Sequence, residues 1–390
     1  MRKGLKGNRL STETMLEYNG RIWFAEADSN GIYSYDLKSK RSTLECIIEE
    51  EPSNGKRLFR TMTICGDDLY VFPFSAENAY KINLHTKKVE CIKIDTPPKN
   101  SYDHYSSQAK FLSSFRYGQK IFAVGVTYPA ILEYDVETGI IQYYSEWLPE
   151  IRACFKNKEK VLFRRAEMVM NKLYIPSGRG DILLIFDMFT KEYEIRRIGI
   201  GEDGFSAVCY DGNDFWLAPL SMGAVIRWNE KTGKYTVYDN FPDDFVKADH
   251  GINDIVFWHD TVILFPGLSN MLLVINQQTD EIVELGYKLR NMSSVSQYIQ
   301  ENTLYAFSGS EDILIVFDGD IHCLEMLSIE APQDEDCCLE KIDYIPENRI
   351  DTVKEFIYIF PENSTKRNDE GERKRTGSNK LIWNEIKELV

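Results

Sequence analysis

Short apolar runs separated by small or polar breaks fill most of this chain, and the pattern repeats. Each repeat has two fixed points. The first is a large apolar residue within a short run: Trp23, Tyr70, Phe122, Tyr174, Trp216, Ile263 and Tyr305. The second is an Asp or Asn thirteen residues later: Asp36, Asn83, Asp135, Asp187, Asn229, Asn276 and Asp318. Successive copies lie 42 to 52 residues apart. Periods of that size belong to propellers and solenoids.

Within a copy the runs have the length of strands. A polar turn opens each one, such as Asn19-Gly20, Asp211-Gly212 or His259-Asp260. These residue types tolerate the backbone of tight hairpins. An apolar run, a small-residue loop and a second apolar run follow, ending at the Asp or Asn. In six of the seven copies a Ser or Thr stands three positions further on: Ser39, Thr86, Thr138, Thr190, Thr232 and Thr279. An Asx side chain closes a turn by accepting from backbone N–H groups just ahead of it. The Asp-x-x-Thr pattern therefore reads as a hairpin turn, not as a metal or catalytic motif. A fourth strand follows. The runs are too short and the turns too dense for helical repeats. The expected fold is all-β, a seven-bladed β-propeller of four-stranded antiparallel blades with a short C-terminal extension.

The repeats claim residues 10–328. Residues 329–362 read as a segment packing on the propeller. Residues 363–380, with nine charged residues and no large apolar one, read as a linker. Residues 381–390 place Leu381, Ile382, Trp383, Ile386, Leu389 and Val390 on one helical stripe. That short amphipathic helix either docks back on the propeller or serves a partner. The long crossovers between blades are 95–110, 146–161 and 241–251.

The net charge is −15, which opposes binding to nucleic-acid backbone or to an anionic membrane surface. No apolar stretch is long enough to span a bilayer, and the first residues lack a secretory pattern. Eight scattered cysteines with no CxxC read as reduced thiols, and the expectation is a cytoplasmic protein. No metal or other cofactor is expected. There is no GxSxG, HExxH, Walker or dinucleotide motif.

The stretch Asn19-Gly20-Arg21-Ile22-Trp23-Phe24, the Gly31-Ile32 step and the Asp36 turn resemble the repeats of bacterial streptogramin-lyase-like propellers. Residues 215–238 carry the same pattern. The run Leu304-Tyr305-Ala306-Phe307-Ser308-Gly309 is similar to a kelch strand, although no copy has the kelch Gly-Gly pair. The resemblance implies the propeller fold. For the lyases it implies a metal-assisted acid–base site of histidine and acidic residues, a motif not matched here residue by residue. The repeats are also similar to bacterial propellers found among surface-polysaccharide biosynthesis functions.

Propeller geometry gives a position for a site. The loops joining second to third strands share one face with the long crossovers, and spare loop length is where function concentrates. The innermost strands should begin ten residues before the first fixed point. That rule puts Glu13, Arg60, Leu112, Arg164, Ser206, Asn253 and Val295 around the channel mouth. Lys110 and Arg165 stand nearby, and Arg179 lies in a blade-four loop on the same face. Arginine offers a planar fork to carboxylate or phosphate. The candidate ligand-binding residues are Glu13, Arg60, Arg164, Arg179, Ser206 and Asn253. The plainer alternative is that Arg60 and Arg164 pair with Glu13, Glu167 or backbone carbonyls and close the channel. His104, after Asp103, and His250, after Asp249, fall in long crossovers, where a His–carboxylate pair could act as a base or metal ligand. The plainer reading makes both surface loop residues.

Two function classes remain. One is a non-catalytic binding or scaffold propeller for a protein partner or an anionic saccharide-like ligand. The other is a propeller lyase or hydrolase acting on a small molecule or saccharide.

Overall fold

A computed structural model describes residues 9–97, 107–155, 162–199, 204–221, 223–246, 250–276, 279–288, 295–300, 302–308 and 313–332. The expected segments at 363–380 and 381–390, most of 329–362, and the residues Asp103, His104 and Asp249 lie outside them. Among the described residues, twenty-eight strands form seven separate four-stranded antiparallel sheets. Each sheet uses four consecutive strands, so the chain builds the seven-bladed propeller that its repeats predict.

The first strands are innermost. They are Thr12–Tyr18, Phe59–Cys65, Phe111–Tyr117, Glu167–Val169, Phe205–Tyr210, Ile252–Trp258 and Val295–Gln300. First strands of neighbouring blades pack together at six of the seven interfaces among the described residues, including that of blade 7 on that of blade 1. The blades share seven apolar cores, one at each interface. Trp23, Ile32, Leu69 and Tyr80 join blades 1 and 2, for example, and Phe24, Tyr33, Phe307 and Leu314 join blades 1 and 7. Both faces of the middle strands are therefore buried, which is why they read as apolar runs rather than as alternation. The outermost strands return to polar exposure, as in Tyr235–Tyr238. Leu10 N donates to Ile329 O at 2.7 Å, and Arg9 bridges Glu330, so the two ends of the ring are clasped.

The Asx turns are present in all seven blades. Asp36 Oδ1 accepts from Ser39 N at 2.8 Å, Asn83 Oδ1 from Thr86 N at 2.9 Å, and Asp135 Oδ1 from Thr138 N at 2.9 Å. In blade 7 the Asp318 Oδ1 bond goes to His322 N instead. The turn ends on a positive-φ residue, which is Gly139 or Gly233 in two blades but Lys40, Lys87 and Lys191 in three. Those lysines reach the preceding blade. Lys40 pairs with Glu325 at 3.1 Å, Lys87 with Glu45 at 2.6 Å, and Lys191 with Glu133.

One crossover differs from its expected form. Residues 146–161 read as an irregular insertion, yet Leu148–Cys154 is a helix. Trp147, Leu148 and Ile151 bury into the core between blades 3 and 4, with Trp147 edge-on to Phe163 at 5.0 Å. Apolar residues three and four apart supply the face for a short helix once a core lies beside it.

Candidate functional site

The ten-residue offset lands on a recurring irregularity. In five blades the first strand carries a β-bulge near its start. The ladder skips Arg60 between Phe59 and Thr61, and Ser206 between Phe205 and Ala207. It skips Asn253 between Ile252 and Asp254, and shifts between Thr12 and Met15 around Glu13. In blade 3 it skips Leu112. Bulges re-aim side chains and are common beside sites. Blade 4 goes further. Its lead-in pairs with its own blade at Phe163 and Arg164 and then leaves it, with Arg165 bridging Ala207 of blade 5 and Ala166 N donating to Ser113 Oγ of blade 3 at 3.1 Å. Two consecutive arginines are thereby held at the inner wall.

Arg60 and Arg164 are 3% and 5% exposed. Arg60 Nε lies 2.5 Å from Glu13 Oε2, Arg57 Nε lies 3.0 Å from Glu13 Oε1, and Arg165 Nε lies 3.4 Å from Asp254 Oδ2. Part of the plainer alternative therefore holds, because Arg60 does pair with Glu13. Arg164 meets a histidine rather than Glu167: its Nη2 is 2.9 Å from His250 Nδ1. The ion pairs are close but poorly aligned for hydrogen bonding at Arg60 Nε and Arg165 Nε, and among the described residues the buried Arg165 Nη2 reaches no protein acceptor. Arginine donors left over at a crowded ring are an exception that calls for a reason.

The electrostatics follow from this crowding. Desolvation raises the Glu13 carboxyl, but Arg57, Arg60 and Arg165 outweigh it and hold its pKa below the usual value. Burial, with Arg57 and Arg165 adding and Glu13 opposing, brings Arg60 down to about 10. Burial with Arg60 and Arg165 brings Arg164 down to about 9. Glu167 is pushed up to about 7 by desolvation and by Asp254. Asp254 is itself raised by burial, with Arg165 and Arg60 pulling the other way. His250 falls well below its usual value through desolvation, Arg164 and Arg179.

Glu13, Arg60 and Arg164 thus meet at the mouth, and Arg179 joins them beside His250. Asn253 occupies its bulge at the same level. Ser206 is turned away, donating to Ala218 O and Pro219 O at 3.4 and 3.3 Å while its own carbonyl accepts from Arg165 N. Leu112 packs away from water, and Lys110 donates to Ala76 O and Ser107 O beneath a loop. His250 is a partly exposed crossover residue held in place, since its N–H and carbonyl are tied to Leu220 and Leu268 and its ring faces two arginines. Arg57 and Asp254 were not legible as site residues. Among the described residues, no group of three or more His, Cys, Asp or Glu side chains is placed to hold a metal. A cavity of about 240 Å³, lined by Tyr18, Trp23, Leu84, His85 and Lys87, lies at the hairpin-turn face, opposite the arginines.

No protein family and no curated protein matches the sequence. Solved structures do match in fold. A streptogramin B lyase superposes with TM-score 0.59 at 12% identity, covering 78% of this chain and 93% of that one. BamB from Moraxella catarrhalis gives 0.52 at 11%, covering 84% and 92%. The extracellular domain of a one-component system from B. thetaiotaomicron, BT4673, gives 0.56 at 11%. This chain spans 38% of that protein's length while 79% of its own is covered. At such identities the likeness is one of architecture, the β-propeller.

Proposed function

We propose that the protein is a non-catalytic binding propeller that takes an anionic ligand, an acidic protein segment or an anionic saccharide, at the arginine-lined channel mouth. One observation carries this reading. Arg57, Arg60, Arg164 and Arg165 converge from two blades on one ring, where two carboxylates, Glu13 and Asp254, face them and, among the described residues, the buried Nη2 of Arg165 meets no protein acceptor. An anion would supply that acceptor, and charge-assisted bonds of this kind are the strong ones. The protein's overall acidity makes the ring a local exception and so a selective one. The free thiols of Cys65 and Cys209 fit a cytoplasmic setting.

The test is a thermal-shift titration of wild type against Arg164→Gln/Arg179→Ala. Gln at 164 keeps a donor toward His250 while removing charge. A ligand at about a hundred times its Kd stabilises wild type by roughly 2.7 kcal/mol. The variant should fold with the same unliganded Tm range and lose that shift. Equal shifts in both proteins would reject the mouth as the site.

The lyase or hydrolase reading draws on one feature, the channel carboxyl Glu167 at about 7 beside Asp254, a protonation range suited to acid–base work. A streptogramin B lyase among the fold neighbours is consistent with it. Turnover of an anionic saccharide that disappears in Glu167→Gln while binding persists would favour that reading over the first.

A further inference from the structure

The contact between Arg164 and His250 specifies a protonation state by geometry alone. A guanidinium has N–H donors and no acceptor. At 2.9 Å from Arg164 Nη2, His250 Nδ1 must therefore accept, which puts the ring proton on Nε2 and leaves the imidazole neutral. Protonating Nδ1 would cancel that bond and turn Arg164 Nη2 toward another acceptor.

The surroundings hold this arrangement in place. His250 is anchored in the crossover between blades 5 and 6, where His250 N donates to Leu220 O at 2.7 Å and Leu268 N donates to its carbonyl at 2.8 Å. The Arg164 stem lies along Gly178, where a Cβ would come within 3.1 Å of Arg164 Cγ and Cδ. Gly204 lets the next blade close on the same loop, since a Cβ there would fall 2.2 Å from Arg179 N. Three basic side chains from three separate segments are thus brought to one spot: Arg164, Arg179 and His250. Arg60 and Arg165 stand beside Arg164 on the ring, Glu13 and Asp254 face Arg60 and Arg165, and Glu167 lies beside Asp254.

Building on the anion-binding reading above, we infer that the mouth selects a doubly charged tetrahedral oxyanion, the phosphoryl group of a phosphate ester, and that His250 takes up a proton as this group binds. Two arginines and a protonated imidazole together carry three positive charges. A carboxylate returns one negative charge to them, and a phosphoryl dianion returns two together with three acceptor oxygens. Only the larger return offsets the charging of His250 between two guanidinium groups. The empty site favours the neutral ring and the occupied site the charged one, so binding and protonation are linked.

Calorimetry on the full chain tests this, with inorganic sulfate, inorganic phosphate and acetate at matched ionic strength. Sulfate keeps both charges across the range, so the pH dependence of its binding belongs to the protein. Sulfate and phosphate should bind at least about tenfold tighter than acetate. Sulfate affinity should rise as the pH falls from about 8 to about 6, by at most about tenfold per unit for one linked proton. Titrations in two buffers of different ionisation heat should give an uptake near one proton. Glu167, raised to about 7, would change charge within the same pH range, so two variants separate the groups. Glu167→Gln should keep the uptake, whereas His250→Gln, which retains an acceptor for Arg164, should lose it. Arg179→Ala, a change at a partly exposed side chain, should weaken sulfate more than acetate. Acetate binding as tightly as sulfate would overturn the ligand class, and undiminished uptake in His250→Gln would overturn the linkage. Binding of none of the three anions, or wild-type sulfate binding by Arg164→Gln/Arg179→Ala, would instead defeat the anion-site reading beneath both.

Discussion

Arg60 of blade 2 lies 2.5 Å from Glu13 of blade 1, inside the ring of innermost strands, with its guanidinium 4.8 Å above the Phe74 ring. The pair is both part of the mouth and part of the wall. Removing one member of a buried pair leaves the other desolvated and uncompensated, at a cost of about 3 to 5 kcal/mol. Arg60→Ala is therefore expected to lower stability by that order, and is a poor probe of binding alone. Glu13→Gln/Arg57→Met/Arg60→Met should recover most of the loss, because the carboxylate and both guanidinium groups that face it are removed together. Chemical denaturation of wild type, Arg60→Ala and the triple variant checks this. A triple variant no more stable than Arg60→Ala would show that the ion cluster is not what holds the wall.

The lysine at the end of the Asx turn predicts a contrast between two equivalent positions. Lys191 sits at φ 68° and Lys40 at φ 55°, both left-handed. Lys191 contacts Glu133, which is 2% exposed, and lies 4.5 Å over the Phe122 ring. Lys40 and Glu325 are 51% and 47% exposed. An exposed pair contributes about 0 to 1 kcal/mol, and relief of left-handed strain by Gly is of similar size. Lys40→Gly should thus stay within about 1 kcal/mol of wild type. Lys191→Gly should lose roughly 2 kcal/mol or more, since it strips a charge partner from a buried carboxylate. Equal losses at the two positions in urea denaturation would contradict this account.

Stability should depend on pH in two opposite ways. The Glu167 carboxyl is raised from 4.5 to about 7, so the fold prefers it protonated. That preference is fully present below about 4.5 and is lost as the pH rises through about 7. Glu13 is lowered, so its contribution is present above the ordinary carboxylate value and is lost as the pH falls through its folded value. Glu167→Gln should match wild type at acid pH and exceed it by on the order of 2 to 3 kcal/mol at about pH 8. Thermal denaturation across pH measures this. A variant that is destabilised equally at both ends would mean that Glu167 acts through shape rather than charge.

The architecture was legible because one physical constraint repeats. Thirteen residues from Trp23 to Asp36, and in every other copy, record two strands and the Asx turn that ends the second. The same arithmetic singled out Glu13 and Arg60, which the structure pairs, and Arg164, which meets His250. It could not say which side chains turn inward, because that depends on bulges. The bulge at Asn253 is what brings its neighbour Asp254 into play, and a bulge leaves no mark in composition. Ser206 fills an equivalent position but satisfies its hydroxyl on its own blade's carbonyls. Arg57 reaches Glu13 from a crossover residue at φ 53°, outside any periodic pattern. His250 looked like a loop residue because nothing in the sequence shows that its crossover is pinned between Leu220 and Leu268.

The close approach of Gly204 to the blade-four loop gives a test that leaves every charged residue in place. A Cβ on Gly204 would fall 2.0 Å from the Gly178 carbonyl carbon and 2.2 Å from Arg179 N, both backbone atoms that cannot swing aside. Gly204→Ala must therefore displace the loop that carries Arg179 and supports the Arg164 stem. Sulfate affinity should fall about tenfold or more, with a loss of stability of about 1 to 3 kcal/mol from overpacking. Gly66→Ala is the control. Gly66 has φ 63°, and a Cβ there would meet nothing within 4 Å, at a turn on the opposite face. It should lose about 1 kcal/mol to backbone strain and bind sulfate as wild type does. If both variants bind equally well, the position of Arg179 is immaterial to the anion. If only Gly204→Ala loses binding, the loop is the element that sets the mouth's geometry, and the glycines that let blades 4 and 5 close together belong to the site as much as the arginines do.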